Sequence, residues 1–189
     1  PLVISGHGTI IKPSANVIFY INDQSRKAGG IAGDRITGIT FDGSLTTNTD
    51  YICIKREMAH VSITDDCVFL LLKGTALEYT KCWGSNIEGG QMFSVGSNSL
   101  IIYKDGFAGV STYAVIDNVT IERWDDVPDV PFIDNQSASL DVLVNSCYSE
   151  GGSPFLNTSI NHTGRIFVNG GTYANIYCAS FNVGSITII

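Results

Sequence analysis

The sequence has few charged residues and no concentration of positive charge. Charged residues make up 15% of the 189 positions, with 11 Lys and Arg residues against 18 Asp and Glu residues. Proteins that bind nucleic acid cluster Lys and Arg against phosphates, and no such cluster occurs, so we expect no nucleic-acid partner. A helical surface rich in Glu and Lys is also excluded, because Ser, Thr, Asn and Gly supply most of the polar positions.

Long apolar runs and paired cysteines are also absent. No run approaches the roughly 20 residues of a membrane span, so we expect no membrane insertion. No Cys-x-x-Cys pair occurs, and we predict neither a metal site nor another cofactor. The wide spacing of the cysteines is typical of small buried residues in a reducing cytoplasm. They are Cys53, Cys67, Cys82, Cys147 and Cys178.

The two ends of the sequence indicate a piece of a longer chain. It starts with Pro1, and the apolar residues 2–4 are too few for the core of a signal peptide. Residues 185–189 have the pattern of a strand that stops at the last position. We therefore expect a single domain over residues 1–189, cut from or assembled into something longer, because bare strand edges pair with other chains.

Helical periodicity is nearly missing, and short stretches with an apolar residue at every second position recur instead. Each stretch is closed by Gly, Asn or Asp, as strands are. Their first apolar residues are 25, 16, 23, 19, 23 and 24 positions apart, which is the scale of stacked repeat folds. These residues are Ile36, Val61, Leu77, Leu100, Val119, Val142 and Ile166.

This repeat predicts an all-β fold, a right-handed parallel β-helix with irregular coils of about 19–25 residues. A single coil has an apolar inner face and no partner, whereas stacked coils share one continuous core. We expect an irregular entry region over residues 1–35 and coils over residues 36–189. Asn145, Asn169 and Gly170 suit the left-handed turns at the corners. The alternative is an antiparallel β-sandwich, which also uses many short strands.

Three short motifs lie between residues 48 and 96: Asn48-Thr49-Asp50, Thr64-Asp65-Asp66 and Gly89-Gly90-Gln91. Their order resembles that of polygalacturonase-type glycoside hydrolases, which are parallel β-helices. The resemblance implies that Asp50, Asp65 and Asp66 line one groove, where one carboxyl protonates the glycosidic oxygen and another activates water. The histidine of that family falls near Gln91 or Met92, and we assign Gln91 to substrate binding.

Two tryptophans add candidate sugar contacts, because the faces of aromatic rings pack on the apolar faces of pyranoses. Trp83 and Trp124 follow strands in turn-like positions, from which a side chain can face outward. We predict both as substrate-binding residues. Four tyrosines are further candidates, namely Tyr79, Tyr103, Tyr148 and Tyr173. Residues 125–131 carry two prolines and three aspartates, which predicts a loop that leaves the repeat.

In style the chain is similar to bacteriophage tailspikes of the pectate lyase-like superfamily, with irregular coils, free cysteines and low charge. That resemblance implies a homotrimer in the virion tail, made in the bacterial cytoplasm, that binds and in some members hydrolyses a bacterial surface polysaccharide. One alternative is a non-catalytic structural or adsorption segment of a trimeric virion fibre. Another is a secreted polygalacturonase, so both catalysis and location stay open at this point.

Overall fold

The computed structural model describes residues 2–22, 33–106, 111–124, 130–158, 162–173 and 186–189. These residues form β-strands and one 3-10 turn, Gly43–Leu45, and no α-helix occurs among them. The strands are β1 (Leu2–Ile11), β2 (Val17–Asn22), β3 (Asp34–Asp42), β4 (Ile52–Glu57), β5 (His60–Asp65), β6 (Val68–Leu72), β7 (Thr75–Thr80), β8 (Trp83–Glu88), β9 (Gln91–Ser94), β10 (Ile101–Lys104), β11 (Tyr113–Asp117), β12 (Thr120–Arg123), β13 (Ile133–Asn135), β14 (Asp141–Asn145), β15 (Tyr148–Glu150), β16 (Leu156–Thr158), β17 (Ile166–Asn169), β18 (Thr172–Tyr173) and β19 (Ile186–Ile188).

Every strand pairing among these residues is parallel, so the antiparallel sandwich has no support. From β4 to β15 each strand pairs with the one three places later in the chain, so one coil contributes three strands. The long β3 pairs with β5 through its first half and with β6 through its second half. This order is consistent with the expected parallel β-helix.

The strands form two hydrogen-bonded sheets, and the larger one has two arms that meet at β3, so we describe three sheets. The first sheet contains the first half of β3, then β5, β8, β11, β14, β17 and β19. The second sheet contains the second half of β3, then β6, β9, β12, β15 and β18. The third sheet contains β2, β4, β7, β10, β13 and β16. The strand β1 pairs along the whole of β3, and the chain therefore already stacks in parallel within residues 2–22.

The length of each coil can be read from the register of the first sheet. Its aligned residues are 28, 23, 29, 28, 24 and 20 positions apart along the series Ile36, Thr64, Ile87, Ile116, Val144, Val168 and Ile188. Three of these spacings exceed the range expected from the sequence. The apolar stretches found in the sequence all contribute to strands, but those strands belong to different sheets. The two shortest intervals, 16 and 19 residues, run from β5 to β7 and from β10 to β12. Each joins strands of different sheets, so neither is the length of a coil.

The core lies between the three sheets, where alternate residues of each strand stack on their equivalents in the next coil. Phe41 and Phe69 stack with ring centroids 5.0 Å apart, and Tyr79 and Tyr103 stack at 5.1 Å. Both tyrosines are fully buried, so their prediction as sugar contacts is wrong. Tyr79 on β7 and Tyr103 on β10 are register partners, and both side chains point into the core. The four described cysteines are buried and free, as expected: Cys53, Cys67, Cys82 and Cys147.

The corner between the first and second sheets has the same backbone conformation in successive coils. One residue takes a positive φ between 49° and 63° in each, and its N–H donates to a carbonyl of the following coil at 2.9–3.1 Å. These residues are Asp66, Gly89, Asn118, Ser146 and Gly170. Gly170 was expected there, but Asn145 and Asn169 only end their strands, and the residue after each one makes the turn.

Two sequence predictions fall partly outside the described residues. Only residues 130 and 131 of the expected loop at 125–131 are described, and Cys178 lies outside as well. In the part of the chain that is described, no helix is long and apolar enough to cross a membrane.

Candidate functional site

Asp65 and Asp66 lie together at the corner between the first and second sheets. Asp65 ends β5 and forms an ion pair with Arg35, and its Oδ2 accepts a hydrogen bond from Thr37 Oγ1 at 3.4 Å. Asp66 follows in the left-handed conformation of the corner, with φ 49°. Both carboxylates therefore sit on a rigid backbone at the surface of the rod.

Asp50 lies away from that pair. Its N–H donates to Asn48 Oδ1 at 3.0 Å in the connection that precedes β4. It shares a cleft with Lys73, the residue directly after β6, whereas Asp66 comes two residues before β6. The strand β6 lies between the two places and pairs with only the four residues Gln91–Ser94, a length of about 10 Å at about 3.3 Å per residue. Asp65 and Asp66 are thus neighbours because they are consecutive in the chain, and the third predicted catalytic residue lies beyond the other end of β6.

The carboxylates of the first sheet continue beyond Asp65. Asp65, Glu88 and Asp117 are register partners in three successive coils, on the outer face. Neighbouring strands lie about 4.8 Å apart, which places like charges in a row. No three His, Cys, Asp or Glu side chains are grouped to hold a metal ion in the described ranges.

Gln91 and Trp124, both predicted to bind substrate, lie on the outer face of the second sheet. Gln91 begins β9 and is exposed. Trp124 follows β12. Its backbone N–H donates to Ser94 O at 3.0 Å, and its side chain is 68% exposed. Beside it is an apolar cleft of about 250 Å³, lined by Asp42, Ser44, Leu70, Leu71, Phe93 and Trp124.

A bulge in β6 forms one wall of this apolar cleft. The pairing of β6 with β9 shifts register between Phe69 and Leu72, and Leu71 has a φ of 49°. An extra residue in the strand turns Leu70 and Leu71 outward together, while Phe69 and Leu72 stay buried. Gly43 makes room for the bulge, because a Cβ at Gly43 would lie 2.5 Å from the Leu71 carbonyl oxygen.

A polar cleft of about 390 Å³ adjoins the apolar one around the next corner. Its lining consists of Thr49, Asp50, Lys73, Val95, Gly96, Ser97 and Asn98. The Asn98 amide donates to Thr49 O at 3.0 Å and to Lys73 O at 2.7 Å, which fixes the wall. Lys73 and Val95 come two residues after Leu71 and Phe93 of the apolar cleft, a step of about 7 Å along a strand.

Further along the second sheet, the row that contains Phe93 continues into carboxylates. Phe93 pairs with Glu122, and Glu122 pairs with Glu150 in the next coil. Tyr148 Oη donates to Glu150 Oε2 at 2.6 Å, and this hydrogen bond raises the pKa of Tyr148. Tyr148 is exposed on the same face, as its prediction as a sugar contact requires.

Trp83 lies on the first sheet, apart from Gln91 and Trp124. It begins β8 and stacks on His60, with ring centroids 4.3 Å apart and an angle of 24° between the planes. Lys81 Nζ lies 5.9 Å from the centroid of the Trp83 ring. The indole thus has a protein partner on one face, and no residue of either cleft is among its ring contacts.

Comparison with known proteins gives no relative. No family model matches, and no curated protein and no solved structure matches. A functional proposal therefore depends on the geometry and charge of the two clefts.

Sequence reasoning missed most of the apolar cleft. Leu70, Leu71 and Leu72 have the pattern of one buried strand, although three consecutive leucines cannot all point inward in a strand of period two. That run was the available signal for a bulge. Phe93 and Asp42 carry no comparable signal, because their outward direction depends on the register of β9 and β3.

Proposed function

We propose that this chain forms part of a right-handed parallel β-helix, similar to bacteriophage tailspikes, that binds a bacterial surface polysaccharide. The proposal depends on one observation above all, the exposed Trp124 beside Phe93 and the two outward leucines of the β6 bulge. Right-handedness is expected because parallel crossover connections between twisted strands are almost always right-handed. By the same analogy the chain works as a homotrimer in the virion tail.

The two clefts suit the two surfaces of a sugar chain. Aromatic and aliphatic side chains pack on the apolar faces of pyranose rings, as Trp124 and Leu71 are placed to do. Amides and carboxylates bind hydroxyls, and Asp50 and Asn98 offer these groups in the adjoining polar cleft. A step of about 7 Å between the clefts allows neighbouring parts of one chain to fill both.

The positions of the aspartates favour adhesion without turnover over hydrolysis. Glycoside hydrolysis needs two carboxyl groups roughly 5–9.5 Å apart across one bond. Asp50 lies at the opposite end of β6 from Asp65 and Asp66, and Asp65 is engaged by Arg35. Hydrolysis remains the second candidate function, carried by Asp66 with Asp65 and Glu88. A rate of polysaccharide cleavage that falls in Asp66→Asn but not in Asp134→Asn, a change on the third sheet, would establish it.

The binding proposal is tested with Trp124→Ala on arrays of bacterial capsule and O-antigen polysaccharides. We expect the affinity for the bound glycan to fall about tenfold or more, equivalent to about 1.4 kcal/mol. Tyr20→Ala is the matched control, because Tyr20 is an exposed aromatic residue on the third sheet, 54% exposed. Equal affinities of Trp124→Ala and the unchanged protein would contradict the proposal. Light scattering tests the trimer separately.

A further inference from the structure

Carboxylates outnumber lysines around the two clefts. Asp42 lines the apolar cleft and Asp50 lines the polar one. Glu122 and Glu150 extend the row of Phe93 along the outer face of the second sheet. Lys73 is the one basic residue among the described residues that line the clefts.

Two lysines, Lys12 and Lys73, lie near the clefts, and the nearby arginines are engaged elsewhere. Lys12 is exposed and lies beside Asp42, because β1 pairs with β3 up to the preceding residue. Lys73 Nζ donates to Thr46 O at 2.9 Å, and Asp50 shares its cleft. Arg123 points into the core, is 3% exposed and donates to Ser153 Oγ at 2.6 Å and to Asn98 O at 2.7 Å. Arg35 forms its ion pair with Asp65 on the first sheet. A carboxylate or sulfate on a bound sugar would therefore meet four carboxylates, from Asp42, Asp50, Glu122 and Glu150, against two lysines.

We infer that this surface binds neutral polysaccharides and rejects acidic ones, such as chains that contain uronic acids. This inference rests on the proposed polysaccharide binding and adds the class of glycan. Discrimination arises from net repulsion, because an acidic sugar that enters the apolar cleft loses hydration beside Asp42, and carboxylates outnumber lysines around the two clefts. The outer carboxylates act over the Debye length, which makes the discrimination dependent on salt.

The test measures binding by biolayer interferometry to two immobilised sets, neutral bacterial polysaccharides and polysaccharides with uronic acids. We expect binding to neutral members and at least tenfold weaker binding to acidic members at about 0.01 M salt, where the Debye length is about 30 Å. At about 1 M salt, where it is about 3 Å, the difference should shrink. Glu122→Gln with Glu150→Gln should strengthen binding to the acidic set about three- to tenfold at low salt.

The matched control is Glu57→Gln with Asp134→Asn, which removes two carboxylates from the outer face of the third sheet. It should leave the selectivity unchanged. Equal or tighter binding of acidic polysaccharides would overturn the inference on charge while the polysaccharide proposal stands. An equal gain in the control would also overturn it, since net charge rather than the clefts would then explain the effect. Failure of both glycan sets to bind would overturn the inference and the proposed function together.

Discussion

Arg56 donates a hydrogen bond from Nε to Asp34 Oδ1 at 2.7 Å inside the core, where the two residues are 0% and 7% exposed. Arg56 Nη1 also donates to Thr64 Oγ1 at 2.8 Å and to Tyr79 Oη at 3.2 Å. Arg56 occupies an inward position of β4 that is filled by Tyr79 on β7 and Tyr103 on β10. A buried cation thus joins the first and third sheets near the start of the rod.

Loss of the Asp34 carboxylate leaves this buried cation without its counter-charge. We expect Asp34→Asn to lower the free energy of unfolding by about 3–5 kcal/mol, measured by urea denaturation. Asp141→Asn is the matched control, because Asp141 forms an ion pair with the exposed Arg165. Its effect should be much smaller, since solvent screens that pair. Similar losses in the two variants would show that burial adds nothing to the first pair.

Substitutions at Gly90 and Gly8 distinguish the cost of a steric clash from the cost of a positive φ. They have similar positive φ values, 83° and 78°. A Cβ at Gly90 would lie 2.2 Å from the Cys67 carbonyl oxygen, whereas a Cβ at Gly8 would meet nothing within 4 Å. We expect Gly8→Ala to cost about 1 kcal/mol and Gly90→Ala about 1–3 kcal/mol more, in thermal or urea unfolding. Equal costs would mean that the coils can move apart at this corner.

Glu78 makes stability depend on pH in the acid range. Burial acts to raise its pKa, but hydrogen bonds from Lys104 at 2.7 Å and ion pairing with Lys55 at 2.9 Å outweigh it, so the pKa is lowered overall. A lowered pKa in the folded state gives stability that is present above the unfolded pKa, about 4.3, and is lost as the pH falls further.

The corresponding experiment compares the urea midpoint at about pH 7 with that well below pH 4.3, the ordinary Glu value. The unchanged protein should lose more stability over this range than Glu78→Gln does. Glu122→Gln changes a carboxylate on the outer face of the second sheet and should lose as much stability over this range as the unchanged protein. The assignment fails if Glu78→Gln and the unchanged protein have parallel pH profiles.

Leu71 tests whether the β6 bulge serves binding rather than stability. Its left-handed conformation costs a non-glycine residue about 1–2 kcal/mol, so Leu71→Gly relieves strain while it removes one wall of the apolar cleft. We expect the free energy of unfolding to stay within about 1 kcal/mol and the glycan affinity to fall several-fold. Val61→Gly is the control, because Val61 has a φ of 50° on the first sheet. It should leave affinity unchanged.

The sequence was sufficient to predict the strands and their parallel stacking, because apolar alternation and polar corners are local patterns. It was insufficient for the assignment of strands to sheets, since the length of a coil changes from one turn of the rod to the next. The corner residues illustrate the limit: Asn145 has the right chemistry, but Ser146 takes the left-handed conformation because the register of β14 decides it. The buried position of Arg56 is also beyond local patterns, since its partner Asp34 lies in an earlier strand of a different sheet.

The predicted site residues divide in the same way. Trp124 and Gln91 lie on one face because β12 and β9 are register neighbours. Gln91 begins its strand at the corner of Asp65 and Asp66, where its backbone N–H donates to Cys67 O at 3.2 Å. Asp50 lines the polar cleft next to the apolar cleft of Trp124, and Trp83 lies on another sheet. The order of the three motifs along the chain does not determine on which of the three sheets each residue lies. Only the lengths of the connections, which vary from coil to coil, determine that.

The repeated corner between the first and second sheets keeps its backbone hydrogen bonds although the coils differ in length. Asp66 N–H donates forward to Glu88 O, and Gln91 N–H donates back to Cys67 O, so the coils are bound at the corner itself. The same two-way pattern holds in the short coil that ends at Ile87 and in the longer coil that follows it. Connections elsewhere in a coil can therefore lengthen or shorten over evolutionary time without disturbing its neighbours. Proteins with this corner can therefore differ in their outer residues and connections and still share the same stacked backbone.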